Sequence, residues 1–300
     1  MPARRKRPEL VSWAERALGH GARVLAARRL SGGLTSRVRE LTVAQNGRRR
    51  RFVLRSWEAD PQHQDWVRRS VATETTILTG LQRSNIPAPR LIAFTTDVAA
   101  GGPAVLMTRV PGRILLMPRD RDAWLRQMAQ MLARVHALDA IGPAAELWLD
   151  VTKLAPPPDA SRADIWREAF AAVAQARTPA PASFIHRDYQ HFNLLWSRER
   201  LTGVVDWGGA GHGPPDLDVG HCRLNLTLLF SVDVAERFRE LYELESGRAV
   251  DPYWDLHALL SYGPGWQYFL PLQIDGRAPL DAAGMTRRME DVLSLVLRRM

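Results

Sequence analysis

Apolar positions in the first hundred residues fall mostly into short runs of strand length, separated by turn residues. Arg23–Leu30 and Ser36–Ala44 are predicted strands, joined by Ser31-Gly32-Gly33-Leu34-Thr35. Asn46-Gly47 between two such runs marks a tight hairpin turn and leads into a third strand, Arg51–Ser56. From about His63 to Leu81 the period changes, and Val67, Val71, Ile77, Leu78 and Leu81 make one helical stripe. Ile86-Pro87-Ala88-Pro89 ends that helix, since proline supplies no N–H and clashes with the preceding turn. Leu91–Phe94 and Ala104–Met107 are again of strand length, on either side of a Gly101-Gly102-Pro103 turn.

After Pro111-Gly112 the texture becomes helical. Trp124, Leu125, Met128, Met131, Leu132, Val135 and Leu138 recur at helical spacing over Asp120–Leu138, the pattern of a core-facing helix. Ala163–Ala176, Val232–Glu243, Trp254–Ser261 and Met285–Arg299 are further predicted helices, and no internal repeat interrupts them. A small β part with one helix, ahead of a larger helical part, predicts an α+β chain of two lobes with a ligand cleft between them.

Charge changes this picture little. The formal net charge of +9 invites a nucleic-acid reading, but its visible clusters are Arg4–Arg7 and Arg48–Arg51, the second of them at a hairpin tip. No interleaving of aromatic and basic residues suggests a base-stacking platform, so no nucleic-acid partner is expected. Lysine occurs only at positions 6 and 153, which excludes a Walker A loop. G-x-G-x-x-G is missing too, against a dinucleotide-binding domain. The single cysteine, Cys222, fits a reducing, cytoplasmic setting and excludes a multi-thiolate metal site. No apolar run follows the basic N-terminal residues, so no signal peptide and no membrane partner are expected. Oligomeric state is not legible.

The chemistry concentrates in Phe184–Trp196 and Gly203–Gly208. Leu194–Trp196 and Leu201–Val205 flank a polar turn at Ser197–Arg200 and read as a hairpin. That hairpin puts Asn193 just before one strand and Asp206 just after the other, side by side. An amide oxygen and a carboxylate are hard ligands suited to a partly hydrated Mg²⁺. Asp188, five residues before Asn193, can reach the same space and orient an attacking hydroxyl. Phosphoryl transfer needs this division of labour, being mostly positioning and charge neutralisation.

The order His-x-Asp-x-x-x-x-Asn, followed by Asp206-Trp207, resembles the aminoglycoside phosphotransferase and choline kinase group of the protein kinase-like fold. Gly213-Pro-Pro-Asp-Leu-Asp218 sits where that group has Gly-Asp-Pro-x-x-Asp-Leu; Asp218 matches the structural aspartate and Pro214 replaces the first one. The resemblance implies a bilobal α+β fold with an antiparallel sheet and one main helix in a nucleotide-binding lobe, residues 1–108. A mostly helical catalytic and acceptor-binding lobe would take residues 109–300. It further implies Asp188 as catalytic base and Asn193 and Asp206 as ligands of Mg²⁺. Ser31, Gly32, Gly33 and Thr35 would cover the phosphates of ATP, Met107 and Arg109 would lie at the adenine hinge, and Glu74 would be the ion-pairing helix glutamate. The family's phosphate-binding lysine is here Arg55, which keeps the charge in a bulkier, forked group. The implied activity is transfer of the γ-phosphoryl group of Mg·ATP to a hydroxyl of a small molecule, an aminoglycoside-, choline- or other alcohol-type acceptor. Arg55 also motivates a second reading, a pseudokinase-like nucleotide-binding module without turnover. A third, a transition-metal site on His186, Asp188 and His191, leaves Asn193 and Asp206-Trp207 without a purpose. Asp251, Tyr253, Trp254, Asp255 and Trp266 are candidates for the acceptor pocket, with core and capping roles as their alternative.

Overall fold

The computed structural model of the 300-residue chain describes residues 9–30, 36–57, 64–97, 101–175 and 182–300. It divides into two compact units, residues 1–111 and 112–300. In the first, α1 (Glu9–Leu18) precedes β1 (Arg23–Arg29), β2 (Arg37–Gln45) and β3 (Arg48–Ser56). Then come α2 (Gln64–Leu81), β4 (Leu91–Thr95) and β5 (Ala104–Thr108). The strands make one antiparallel sheet in the order β1-β2-β3-β5-β4. Asn46 and Gly47, both at positive φ (50° and 72°), form the two-residue hairpin turn and pair Gln45 with Arg48. The third strand is thereby longer than the sequence indicates, and Arg48–Arg51 are its exposed first residues.

Strand alternation sorts the sheet into two faces. Leu41, Val43, Phe52, Leu54, Ala104 and Leu106 bury one face together with Val11 and Ala14 of α1. Helix α1 is absent from the sequence-based reading, although Leu10, Val11, Ala14 and Leu18 lie at helical spacing. The opposite face carries Val53, Arg55, Val105 and Met107, paired across the β3–β5 ladder as Arg55 with Val105 and Val53 with Met107.

The second unit contains α3 (Arg121–His136), α4 (Ala163–Val173), β6 (Ser183–Ile185), the hairpin β7 (Leu194–Ser197) and β8 (Arg200–Val204), and β9 (Gly211–Gly213). Helices α5 (Asp216–Leu229), α6 (Val232–Ser246), α7 (Pro252–Leu259), α8 (Trp266–Ile274) and α9 (Met285–Leu297) complete it. Every residue of α5 is buried, so this helix is the axis on which the unit is built. At Gly220 a Cβ would meet the Asp255 carbonyl at 2.6 Å; only glycine admits this approach of α5 to α7. The core on the other side joins Leu224 and Leu228 of α5 to Trp166, Leu256, Trp266, Met289 and Val292.

Arg162, the residue just before α4, lends that helix no side-chain cap. Glu290 of α9 caps it instead, accepting from the amides of Ser161 (2.7 Å) and Arg162 (2.9 Å) and from Trp166 Nε1 (3.2 Å). Burial raises the Glu290 carboxyl's pKa, but these donors outweigh it and hold the group at about 2. A folded pKa below the unfolded value means stability that is complete above the unfolded pKa and lost as pH falls through the folded one. Glu290→Gln should therefore cost about 1–3 kcal/mol in urea denaturation near neutral pH. Its deficit against the wild-type protein should shrink as pH falls from about 4.5 towards 2.

Candidate active site

The loop after β6 runs back on itself through Arg187, whose φ is +73°. What holds it there is Asp218, in the first turn of α5: Oδ2 accepts from the His186 amide (2.7 Å) and Oδ1 from the Arg187 amide (2.6 Å). Asp218 is fully buried, and His136 Nε2 of α3 meets its Oδ2 at 3.1 Å. Burial raises its pKa, and the hydrogen bond and charge of His136 outweigh that, so the net shift is downward. Tyr189 ties the same loop to α3 through the Met128 carbonyl (2.7 Å).

His186 is occupied by backbone. Its Nδ1 accepts from the Asp188 amide (3.3 Å), which assigns the ring proton to Nε2, facing the Val205 carbonyl at 3.0 Å. His191 is fully buried, and burial lowers its pKa to about 3. No three His, Cys, Asp or Glu side chains converge as a metal cage among the described residues.

Asp188 is fixed from three directions. Oδ1 accepts from Gln190 Nε2 (2.6 Å) and lies 2.9 Å from His221 Nε2; Oδ2 accepts from Asn193 Nδ2 (2.8 Å). Burial raises its pKa, but His221, His186 and Asn193 outweigh that, and the net shift is downward, leaving a carboxylate. Asn193 Nδ2 also reaches the Asp188 carbonyl (2.8 Å), so its amide nitrogen is committed inward and its Oδ1 is the atom left for a cation.

The hairpin aligns the next residue. Leu194 pairs with Val204, and the Val205 amide extends the ladder to the Asn193 carbonyl (2.9 Å). Arg198 and Glu199, both at positive φ, make its tight turn. Asp206 follows at φ +67°, a left-handed conformation that aspartate tolerates better than most residues. Trp207 anchors it: fully buried, its Nε1 donates to the Val204 carbonyl (3.0 Å) and its ring stacks on Phe184. At Gly112, φ +115°, a Cβ would lie 2.5 Å from Thr202 Oγ1, and the chain there pairs Arg113 with Trp196 of the hairpin.

In the first unit, Arg55 and Glu74 form a buried pair, NH1 to Oε1 at 3.1 Å, and Arg55 Nε donates to Ser36 Oγ (2.9 Å). Glu74 is thus an ion-pairing residue and not a solvated helix charge. Met107 is buried on the same sheet face as Arg55. Arg109 bonds through Nε to Glu40 and through NH1 to the Val110 carbonyl (3.1 Å), its side chain held across the sheet by a buried carboxylate. Ser31, Gly32, Gly33 and Thr35 lie outside the described residues.

The residues offered for the acceptor pocket serve the fold. Asp251 caps α7 through the Tyr253 amide, and Asp255 pairs with Arg223 inside the protein. The Tyr253 hydroxyl bonds to the carbonyls of Val173 and Gln175, Trp254 packs with Ile185 and Leu217, and Trp266 belongs to the α5–α9 core. Asp218 and His221, one helical turn apart in the sequence and readable there as caps or braces of this loop, both contact it, whereas sequence reasoning missed Gln190. It also missed Trp148 and Tyr262, whose rings lie 6.0 and 5.4 Å from that of His221. Gln190 could have been found, two residues from Asp188; the others come from separate segments. Burial, with the charges of Asp188 and Asp206, pushes the Tyr262 phenol well above its usual value and keeps it protonated.

These features are those of a phosphotransferase. The sequence profile of the phosphotransferase enzyme family, APH, matches residues 26–258, and the chain belongs to that family. It is by class a small-molecule kinase with a hydroxyl acceptor. Comparison with curated protein sequences returns no match. Among solved structures, the apo form of a thermostable mutant of aminoglycoside phosphotransferase APH(4)-Ia is similar in fold. It is 18% identical, with a TM-score of 0.58 over 92% of this chain and 95% of that one. Macrolide 2'-phosphotransferase MphH from Brachybacterium faecium is 19% identical, with a TM-score of 0.58 over 95% and 96% of the two chains. An aminoglycoside-3'-phosphotransferase of type VIII is 18% identical, with a TM-score of 0.57 over 84% and 99%. The likeness establishes the kinase-like α+β fold. No helix among the described residues is long and apolar enough to cross a membrane.

Removing the carboxylate of Asp218 leaves two amides and a histidine buried around a gap. Asp218→Ala should cost about 3–5 kcal/mol of stability, the usual penalty for breaking a buried charged network. Hydrogen exchange at the His186 and Arg187 amides should accelerate beyond the change seen at β6; unchanged protection there would remove Asp218 as the loop's anchor.

Proposed function

We propose that this protein transfers the γ-phosphoryl group of ATP to a hydroxyl of a small molecule, with Asp188 as the base. The observation that carries the reading is the Asp188 carboxylate, whose Oδ1 holds two partners while Oδ2, among the described residues, holds Asn193 alone. An acceptor hydroxyl donating to Oδ2 would be oriented for attack, and its proton would pass to that oxygen as the new P–O bond forms. Asn193 Oδ1 and Asp206 would hold Mg²⁺. The donor set fits a magnesium ion, being two hard oxygens that would leave the rest of its coordination to phosphate and water oxygens. Bound there, the ion would neutralise charge on the transferring phosphates.

Arg55 would bind the nucleotide phosphates in place of a lysine, steadied by Glu74. Its guanidinium lies 5.0 Å above the Trp57 ring and is oriented by Ser36 and Glu74. Met107 and Arg109 would border the adenine, and Ser31, Gly32, Gly33 and Thr35 would cover the phosphates. The acceptor is a hydroxyl compound, and its candidates include the aminoglycoside, choline and other alcohol types.

Calorimetric titration of ATP should show binding that depends on Mg²⁺ in the wild-type protein, with that dependence lost in Asp206→Ala. Asp188→Asn should keep Mg·ATP binding within about threefold while lowering turnover by at least about 100-fold, the scale of a lost general base. Magnesium-dependent binding without turnover on any acceptor would instead identify a nucleotide-binding module, and turnover retained in Asp188→Asn would remove the assigned base.

A further inference from the structure

An acceptor that reaches Asp188 must pass the side chains that border it, so those side chains state what the acceptor is. On the Oδ1 side stands His221, 2.9 Å away, and against His221 lie two aromatic rings, Trp148 at 6.0 Å and Tyr262 at 5.4 Å. Trp148 and Tyr262 meet edge to face at 5.6 Å. From Tyr262 the aromatic run continues to Phe269 (6.2 Å) and from Phe269 to Tyr268 (5.7 Å). Exposure rises along it, to 38% at Phe269 and 68% at Tyr268, so the run extends from beside the base to solvent. Exposed aromatics clustered in this way lose water at little cost when an apolar face covers them.

The charges around the run do not suit a polycation. Arg187 is fully buried, with its guanidinium 4.0 Å from the Trp148 ring and its Nε donating to the Glu146 carbonyl (2.8 Å). Burial lowers the pKa of this guanidinium, while Asp218, Tyr262, Asp188 and, last, the exposed Glu146 favour its charged form. The acidic residues of α5 and α7 are engaged: Asp216 by Arg248, Asp255 by Arg223, and Asp251 in capping α7. An amino sugar bearing several ammonium groups would meet the Arg187 guanidinium behind the Trp148 ring, a charge of its own sign. The Tyr262 hydroxyl makes no hydrogen bond among the described residues, which leaves a neutral donor beside Asp188.

We propose that Trp148, Tyr262 and Phe269 form the acceptor wall, and that the acceptor is a neutral hydroxyl compound presenting an apolar or planar face. Tyr262 donates to an oxygen next to the reacting hydroxyl, and the rings of Trp148 and Phe269 cover the apolar face. This rests on the assignment of Asp188 as base.

The probes are 4-nitrophenyl β-D-glucoside, a neutral polyol carrying a planar ring, and kanamycin, a polycationic amino sugar. Each is titrated calorimetrically into the full-length protein with and without Mg·ATP. The glucoside should bind more tightly than kanamycin, and Tyr262→Ala and Phe269→Ala should each weaken it at least tenfold. Phe269 is exposed, so its variant tests the wall even where Tyr262→Ala unfolds; thermal melting of each variant checks this. Tighter binding of kanamycin would overturn the inference, as would a glucoside affinity unchanged in Phe269→Ala. So would the absence of glucoside binding to a protein that binds Mg·ATP, an outcome that leaves the phosphotransferase reading intact. Failure to bind Mg·ATP at all would overturn both.

Discussion

The carboxylate of Asp218 accepts hydrogen bonds from two consecutive backbone amides, and the arrangement of the second unit depends on this contact. His186 and Arg187 lead the chain out of β6 into a left-handed turn, a conformation that a non-glycine residue does not hold unaided. Asp218 supplies the compensation from the first turn of α5, where the helix dipole also favours a negative charge. With those two amides pinned, Asp188 is the next residue, and its direction follows. His136 behind Asp218 and Tyr242 behind His136, 2.7 Å from its Nδ1, extend the support into α3 and α6.

Helix α5 shows how this support is sustained. It is buried along its whole length yet carries Asp216, Asp218, His221, Arg223 and Asn225. A buried charge is tolerable only when paired. Asp216 is held bidentately by Arg248, and Arg223 lies between Asp255 and Glu236. These pairs fix the rotation of α5 about its axis, since a turn of the helix would strand every one of them. That rotation brings Asp218 under the loop and His221, one turn later, against Asp188. Structural ion pairs and reactive groups are thus set by the same element.

The hairpin, the order of Asp188, Asn193 and Asp206, and most strands and helices were legible because each rests on local rules. Asn46-Gly47 demands a two-residue turn wherever it lies between strands, and Asn193 and Asp206 flank a hairpin whose ends must adjoin. Helix α1 was missed although its apolar stripe was visible, its four turn-spaced residues being outweighed by the basic segment before it. Arg55 could be matched to a strand position and its pairing with Glu74 expected from the resemblance, and the two side chains meet at 3.1 Å. The residues of α7 and α8 offered for the acceptor take the core and capping roles given as their alternative. Acidic and aromatic residues attract notice in a sequence, while burial and capping, which use the same residue types, appear only when neighbours are present.

What the sequence by itself determined was chemistry of short range: which residues can serve as base and as oxygen ligands, and that a hairpin places two of them together. Periodicity and turn chemistry act over a few residues, and they suffice for this. Which side chains surround Asp188 was decided by tertiary structure alone. His221 comes from α5, Trp148 from the stretch before α4 and Tyr262 from the connection after α7, segments up to 114 residues apart in the chain. Nothing local links them; they meet because the ion pairs of α5, Asp216 with Arg248 and Arg223 with Asp255 and Glu236, fix its rotation.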